Sequence, residues 1–294
     1  LRVYRNPALA NINGLTLVTI EGKELDIGSN DVLTNINGLV NLDSVVGKLS
    51  IYNHPHLIKI DGLANLTDVG GGLDIFGNDV LTIIDALANL SSIVGRISIS
   101  QNAILTDING LANVTSVGGG LNIDYNAALA NIDGLANLKS VAWSLSISGN
   151  ASLTKIDSLA NLASLGGILT ISNNAFLTNI DGLSNITVVG GGVNIGDNAA
   201  LTNVDGLANL TSVGDTFYIG GNAVLTDIDG LTNLVVVGWD LRILGNISLG
   251  NGSALAPLLG WPDGPPNDHV DGEIVVVGNA VGCNSVEEIL ATVS

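Results

Sequence analysis

The chain is poor in the residues from which disulfide frameworks and most catalytic sites are built. Its 294 residues include one cysteine, three histidines and no methionine. A single cysteine, Cys283, excludes a disulfide framework within the chain. No set of nucleophile, base and orienting residue can be assembled, and no G-x-S-x-G motif is present, so we predict that the chain is not an enzyme.

Basic residues and long apolar runs are also scarce. Nine lysines and arginines stand against 27 aspartates and glutamates, which gives a net charge of −18. Because phosphate binding requires clustered lysine and arginine, this charge excludes nucleic acid as a partner. No apolar run approaches the roughly 20 residues needed to span a bilayer, so we predict no membrane insertion in this segment.

Aromatic residues make up 3% of the chain, although hydrophobic residues make up 46%. The core must therefore be built from leucine, isoleucine and valine in a regular arrangement rather than from large rings. The absence of methionine and the opening "LRVYRNPAL", which already lies inside a repeat, predict further sequence upstream of Leu1.

A 24-residue sequence repeats along the chain. The segment "GGGLNIDYNAALANIDGLANLKSV" at 118–141 returns at 190–213 as "GGGVNIGDNAALTNVDGLANLTSV". The same period predicts eleven coils over residues 1–246. Residues 247–294 have lost the period, and we predict that they form a separate capping segment.

The apolar positions within one coil predict its path. Leu121 and Ile123 alternate as in a strand, and the later apolar residues step by three, which suits tight turns and single helical turns. One coil cannot bury its apolar side alone, so the coils must stack. We therefore predict a mainly β fold, a right-handed parallel β-solenoid of 24-residue coils.

Three polar series follow the same period. The first is asparagine throughout except for His54, and it predicts an internal asparagine ladder because a buried amide can both donate and accept hydrogen bonds; its members include Asn78, Asn102, Asn126, Asn150, Asn174, Asn198 and Asn222. A second series that is asparagine throughout, from Asn41 and Asn65 to Asn233, predicts the same. The third series mixes Asn and Asp, from Asn13 to Asp229, and we predict that its members cap short helical turns.

The capping segment carries signals of its own. "GEIVVVG" predicts a last strand, and "NSVEEILATV" predicts a short helix with a serine N-cap and a glutamate three residues later. Together they would cover the open edge of the final coil. Cys283 lies beside this cap and is either a buried thiol or the partner of a cysteine beyond Ser294.

The coil pattern LxIxxNxxLxxIxGLxNLxxVGG, seen in "LNIDYNAAL" and its continuation, resembles the receptor L-domain, a leucine-rich-repeat-like solenoid. The resemblance covers residues 1–246, and "GEIVVVGNAVGCNSVEEI" resembles the closing segment of bacterial members. It implies an extracellular, non-enzymatic binding or structural module of the bacterial surface type, without catalytic residues.

Residues that interrupt the repeat are the candidate contact residues. Trp143 and Trp239 replace a glycine at a bend between coils, and the alternative is that each fills a local gap. Tyr52 and Phe76 follow the strand pair on adjacent coils, where they form either a contact strip or a half-buried ladder. On the outward strand face, otherwise small and polar, two consecutive coils carry Tyr218 and Arg242.

Metal and cofactor sites are poorly supported by the sequence. His54 and His56 lack a third ligand, and His269 lies in an acidic loop with Asp268. Stacked carboxylates are the weak candidates for Ca²⁺, although the dipole of each capped turn offsets their charge; they are Asp133, Asp157, Asp181, Asp205 and Asp229. We predict no other cofactor.

We predict an extracellular, cell-surface module that binds protein or glycan. The alternative is a self-associating structural subunit of a filament, sheath or surface layer. Ice binding is the third hypothesis, because a row of threonines runs along the coils from Thr34 to Thr226.

Overall fold

A computed structural model describes residues 1–16, 24–262 and 269–293, so Asp268 and Ser294 lie outside the described residues. These residues form two compact units. The first unit contains Leu1–Trp143 with Gly149–Ala151, and the second contains Ser144–Ser148 with Ser152–Ser294. The predicted division at residue 246 stays a prediction.

The first unit consists of strands and 3-10 helices, and from the helix Asn37–Leu39 onward each 3-10 helix is followed by a two-residue strand and, in all but the last coil, by a longer one. Its strands are β1 (Arg2–Tyr4), β2 (Glu24–Gly28), β3 (Ser44–Val45), β4 (Lys48–Tyr52), β5 (Asp68–Val69), β6 (Leu73–Phe76), β7 (Ser92–Ile93), β8 (Ile97–Ser100), β9 (Ser116–Val117), β10 (Leu121–Asp124) and β11 (Ser140–Val141). Its 3-10 helices are Asn13–Leu15, Asn37–Leu39, Asp61–Leu63, Asp85–Leu87, Asn109–Leu111 and Asp133–Leu135.

The second unit repeats this plan and adds one α-helix. Its strands are β12 (Leu145–Ser148), β13 (Ser164–Leu165), β14 (Leu169–Ser172), β15 (Val188–Val189), β16 (Val193–Gly196), β17 (Ser212–Val213), β18 (Phe217–Gly220), β19 (Val236–Val237), β20 (Leu241–Leu244) and β21 (Ile274–Val277). Its helices are the 3-10 turns Asp157–Asn161, Asp181–Leu183, Asp205–Leu207, Asp229–Leu231 and Ser253–Leu255, followed by α1 (Val286–Ala291).

All strand pairs are parallel and joined coil to coil. In the first unit β10 pairs with β8, and the two-residue strand β11 pairs with β9. In the second unit β16 lies between β14 and β18, with Ile195 opposite Ile171 and Ile219. Each unit is therefore a mainly β, parallel, leucine-rich-repeat-like solenoid, which confirms the predicted fold class.

The buried residues of each coil are the apolar positions of the repeat. In one coil Leu121, Ile123, Leu129, Ile132 and Leu135 are fully buried. The largest buried side chain is Phe217, at a position where neighbouring coils carry leucine or valine. Burial of apolar surface stabilises a fold by about 25 cal/mol per Å². Because it is repeated on every coil, it is the main contribution to the stability of the stack.

The 3-10 turns bring neighbouring coils into close backbone contact. A Cβ atom on Gly134 would overlap the carbonyl oxygen of Ile108 on the coil before it. The mixed Asn/Asp series supplies the first residue of each turn and not its cap, so that prediction was wrong: the cap position of the Asp133 turn is Ile132, without a side-chain hydrogen bond. The side chain two residues earlier accepts instead, as Asn131 does from the Asp133 amide at 3.1 Å.

The internal asparagine ladder is confirmed. Asn102 is fully buried, and its Nδ2 donates to the Ile75 carbonyl at 3.0 Å. Its Oδ1 accepts from the amide of Asn78 on the preceding coil at 3.2 Å. Equivalent bonds join Asn174, Asn198, Asn222 and Asn246 in the second unit. Because every buried donor and acceptor is used, the ladder links each coil to its neighbours without an unpaired polar group.

The second asparagine series is on the surface, so its assignment to the interior was wrong. Asn65 and Asn137 are exposed, and each Nδ2 donates to a carbonyl of the preceding coil, that of Val40 at 2.7 Å and that of Ala112 at 2.8 Å. Its invariance comes from this outer hydrogen bond between coils and does not require burial.

His54 occupies a position of the ladder at which the other coils carry asparagine. It is fully buried, with Nε2 3.1 Å from the Ile27 carbonyl and Nδ1 3.3 Å from the Asn30 amide, which fits the neutral imidazole. Burial lowers the pKa of His54 from its usual value. The folded state therefore resists protonation that the unfolded chain accepts, and stability is lost as the pH falls below about 6.5.

Replacing His54 by Asn should remove this acid sensitivity. Between pH 7 and pH 5 the wild type should lose stability relative to H54N by up to roughly 1.4 kcal/mol per pH unit. Urea unfolding of both chains across this range measures the difference. The exposed His56 provides the control, since H56N should follow the wild type; parallel pH profiles for H54N and wild type would contradict the assignment.

The C-terminal residues close the second unit. Strand β21 pairs with β20, and α1 begins after Ser285, whose Oγ accepts from the Glu288 amide at 3.2 Å, as predicted. Asn279 continues the ladder: its Oδ1 accepts from the Asn246 amide at 2.9 Å, and its own amide donates to Asn284 Oδ1. Cys283 is a buried free thiol, and burial raises its pKa to about 11.

Candidate functional site

The outward faces of the long strands carry the candidate residues, because inward positions are occupied by the core. In the first unit this face carries charge pairs. Asp74 is almost fully buried and receives Arg96 Nη2 at 2.7 Å and Lys48 Nζ at 2.5 Å. Burial opposes its ionisation, but the hydrogen bonds from Arg96 and Lys48 hold the pKa of Asp74 below its usual value. These residues stabilise the sheet surface above β6.

Tyr52 and Phe76 stack on each other at the ends of β4 and β6. Their ring centroids are 5.0 Å apart and the planes differ by 7°. Tyr52 extends over Gly28, where a Cβ atom would overlap the ring. Both side chains are half-buried, so the pair has the geometry of the predicted ladder at the strand ends and still presents ring edges to solvent.

The second unit has an open cleft on its outward face. It has a volume of about 500 Å³ and lies over β16, between Ile168 and Ser172 on one side and Thr216 and Tyr218 on the other. Its floor is Asn194. Tyr218, one of the predicted contact residues, forms one wall, and burial followed by the nearby charge of Asp197 raises its pKa above the usual value.

Arg242 follows Tyr218 in register on β20 but does not line the cleft. Its guanidinium donates to Asp240 Oδ2 from Nη2 at 2.7 Å and from Nε at 3.1 Å, and Glu273 lies 3.6 Å away. The positive charge of Arg242 is therefore balanced by the carboxylates of Asp240 and Glu273.

Trp143 and Trp239 are both exposed at the bends that lead into long strands. Trp143 is 69% exposed and Trp239 is 57% exposed. Neither side chain is part of the buried core, and their role as contact residues rather than as fillers of a local gap stays a prediction. Each indole offers a large apolar surface of the kind that is enriched at protein interfaces.

The stacked aspartates lie on exposed 3-10 turns. In the second unit the pKa of Asp205 is raised, mainly by partial burial and further by the negative charges of Asp227 and Asp181. Asp229 accepts a hydrogen bond from Asn251 Nδ2 at 3.1 Å, and Asp157 lies 3.3 Å from Lys155 Nζ. Within the described ranges no group of three or more His, Cys, Asp or Glu side chains is placed to hold a metal ion.

Asp205→Asn should stabilise the second unit. A carboxyl group whose folded pKa is raised destabilises the folded state once the pH rises above its unfolded value, and the amide removes that charge. At pH 7 the expected gain is about 0.5 kcal/mol, since the site is exposed and screened, and it should shrink with added salt. Urea unfolding measures it. D157N, which loses a lysine partner, should show no gain; a destabilised D205N would contradict the predicted repulsion.

The threonine row uses its hydroxyl groups between coils. Thr106 Oγ1 donates to the Thr82 carbonyl and Thr202 Oγ1 to the Thr178 carbonyl, each at 3.2 Å. Among the residues that are described, no helix is both long and apolar enough to cross a membrane.

No family model matches the chain, and no curated protein is similar to it. Among solved structures, a leucine-rich-repeat protein of Leptospira interrogans is similar with 12% sequence identity and a TM-score of 0.33, over 98% of this chain and 87% of that chain. The fold class therefore rests on the strand pairing and the buried ladder of this chain itself.

Sequence reasoning missed the cleft over β16. Gly192 and Gly196 flank Asn194 at positions where most coils carry a larger side chain, such as Ser172 at the register of Gly196. Two glycines on one outward face were the signal. Their effect depends on how the side chains of the neighbouring strands lie, which the repeat pattern does not specify.

Proposed function

We propose that the chain is a non-enzymatic binding or adhesion module of the extracellular cell surface, of the receptor L-domain type. It contacts a protein or glycan through the outward faces of its long strands and through exposed aromatic residues. The observation that carries this proposal is the exposure of Trp143 and Trp239, two large apolar side chains that are mostly open to solvent.

The proposal is tested by partner binding and by self-association. Immobilised chain is screened against protein and glycan arrays, and W143A and W239A are compared with the wild type. We expect at least one array partner to lose about tenfold or more in affinity while thermal stability stays within a degree or two. Val46→Ala, at another exposed apolar residue, is the control.

Size-exclusion chromatography with light scattering separates the alternative. A monomer with and without millimolar Ca²⁺ supports the binding module. Large assemblies of the wild-type chain, above all calcium-triggered ones, would replace it by the structural subunit, with the stacked aspartates as the cation site.

A further inference from the structure

The cleft over β16 is open because of its glycines. Gly192 lies between Ile168 and Thr216 in the coil stack, and Gly196 lies between Ser172 and Gly220. A Cβ atom on Gly196 would come within 3.2 Å of both Asn194 Oδ1 and Tyr218 Cε1. Gly192 is therefore recessed below both of its neighbours and Gly196 below Ser172, so that the strand forms the floor of a trough.

Tyr218 lies along this trough instead of standing away from the sheet. A Cβ atom on Gly220 would overlap the Tyr218 hydroxyl group, so the side chain extends over that glycine. The aromatic ring is half-buried and lines the cleft. The face of an aromatic ring is electron-rich, and it attracts the weakly positive C–H groups of a ligand that lies against it.

The floor of the trough holds an acceptor without a donor. Asn194 Oδ1 is buried and has no hydrogen-bond partner. An unpaired buried polar atom is costly, and a ligand hydroxyl group would recover that cost once the half-buried Asn194 side chain turns its oxygen towards the cleft. The equivalent oxygen of Asn122, at the same register in the first unit, is not a buried atom without a hydrogen-bond partner.

The charges around the cleft select against anions. None of the described residues that line it is a lysine, arginine or histidine, whereas Asp197 and Asp215 stand on its rim. Arg242 on the next strand is held by Asp240 and Glu273. A phosphate or carboxylate would meet only negative charge here, so the ligand is neutral or cationic.

The buried groups favour a neutral ligand. The unpaired acceptor is an amide oxygen, and a cation that reached it would give up its hydration for a neutral partner. The Asp215 carboxylate is exposed and already accepts from the Thr216 amide at 2.7 Å. Hydroxyl groups, in contrast, can donate to Asn194 and the two aspartates and accept from Tyr218. The Ser172 hydroxyl already donates to Ser148 Oγ at 3.0 Å, so it can only accept from a ligand.

We propose that the cleft formed by Asn194, Gly196, Tyr218 and their neighbours binds a neutral saccharide, one ring of which lies against Tyr218 while a hydroxyl group donates to Asn194 Oδ1. The cleft volume of about 500 Å³ lies in the range of small-ligand sites and accepts a mono- or disaccharide. This inference rests on the proposed binding function and names the ligand class of one part of that surface.

The test uses the full chain labelled with ¹⁵N and a panel of neutral disaccharides: maltose, cellobiose, lactose and N,N′-diacetylchitobiose. Each is titrated into the millimolar range, and the amide signals of Gly192 and Gly196 are followed by NMR. We expect at least one saccharide to shift these signals with saturation and without dependence on salt. If no member of the panel shifts them, the inference is wrong.

Three variants test the site, each with a residue that other coils carry at the same register. Asn194→Ser removes the amide oxygen and leaves a shorter hydroxyl group, Tyr218→Ser removes the ring, and Gly196→Ser fills the trough. Each variant should weaken saccharide binding by about tenfold or more, the fold-change expected for the loss of one good contact. The matched control Asn122→Ser should change nothing. Undiminished binding to all three variants would show that the sugar binds elsewhere.

A cationic probe separates the other ligand class. Nα-acetyl-lysine amide is titrated at low and high sodium chloride. Stronger binding of this probe than of any disaccharide, with loss of affinity in salt, would overturn the saccharide assignment. If the cleft binds no saccharide, the binding of array partners that depend on Trp143 or Trp239 is unaffected. The proposed function is therefore tested independently of this inference.

Discussion

Asn126→Asp should destabilise the first unit by about 3–5 kcal/mol at pH 7, the cost of leaving a buried charge uncompensated. Asn126 is fully buried, and its Nδ2 donates to the carbonyls of Ile99 at 2.9 Å and of Asp124 at 3.2 Å. Its Oδ1 accepts from the Asn102 amide at 3.1 Å. A carboxylate keeps the acceptor role but turns a negative oxygen towards two carbonyl oxygens. Urea unfolding at equilibrium measures the loss.

The pH dependence of this variant provides a second signature. Burial should raise the pKa of the introduced carboxyl group above its unfolded value of about 3.9. The penalty is then complete above the folded pKa and shrinks as the pH falls towards the unfolded value. N109D is the control, because Asn109 is exposed and neighbouring coils carry Asp85 and Asp133 at its register; it should change stability by less than about 0.5 kcal/mol. Equal losses for the two variants would show that the ladder does not require the amide.

Phe217→Ala should cost about 3–5 kcal/mol in the second unit. Phe217 is fully buried, and its register neighbours are Val193 and Leu241 on the adjacent strands. These strands are held by backbone hydrogen bonds at the roughly 4.8 Å spacing of a sheet, so the coils cannot move together to close the cavity. The lost contacts and the residual cavity therefore both contribute.

Phe217→Leu distinguishes the cavity from a specific need for the ring. Leucine is the residue of several other coils at this register, and the smaller change in volume should cost less than about 1.5 kcal/mol. Urea unfolding followed by far-UV circular dichroism compares the two variants. A loss below about 1 kcal/mol for F217A would show that Val193 and Leu241 repack into the space.

The period, the coil path and the ladder could be predicted because they repeat. Asn102 and its equivalents each face the same partners one coil away, so a single rule accounts for all of them. The same logic misplaced Asn65 and Asn137, since invariance alone does not separate a buried amide from an exposed one that bonds to a neighbouring carbonyl. The mixed series was misread as well, because Asn131 shows that the capping side chain lies two residues earlier.

The candidate site was predicted only through its aromatic residues. Tyr218 was identified because it interrupts a row of small polar side chains, and Trp143 because it replaces a glycine. The trough beside Tyr218 depends on two absent side chains, at Gly192 and Gly196, and on the direction in which Tyr218 lies. Such a recess is a property of three adjacent strands, and the sequence of one coil does not contain it.

The ladder also makes the length of each unit a whole number of steps. Within the repeats each ladder asparagine is linked to the asparagine of the coil before it and of the coil after it, 24 residues away. Recombination between near-identical repeats inside a unit would therefore lengthen or shorten the chain by 24 residues and rejoin every donor to an acceptor. Any other increment would need an inserted loop to restore the ladder, as in the 33-residue step from Asn246 to Asn279. Because Asn279 bonds only to the last coil, at Asn246 and Ile243, and to Asn284 of its own segment, the same terminal segment could close a unit with any number of coils.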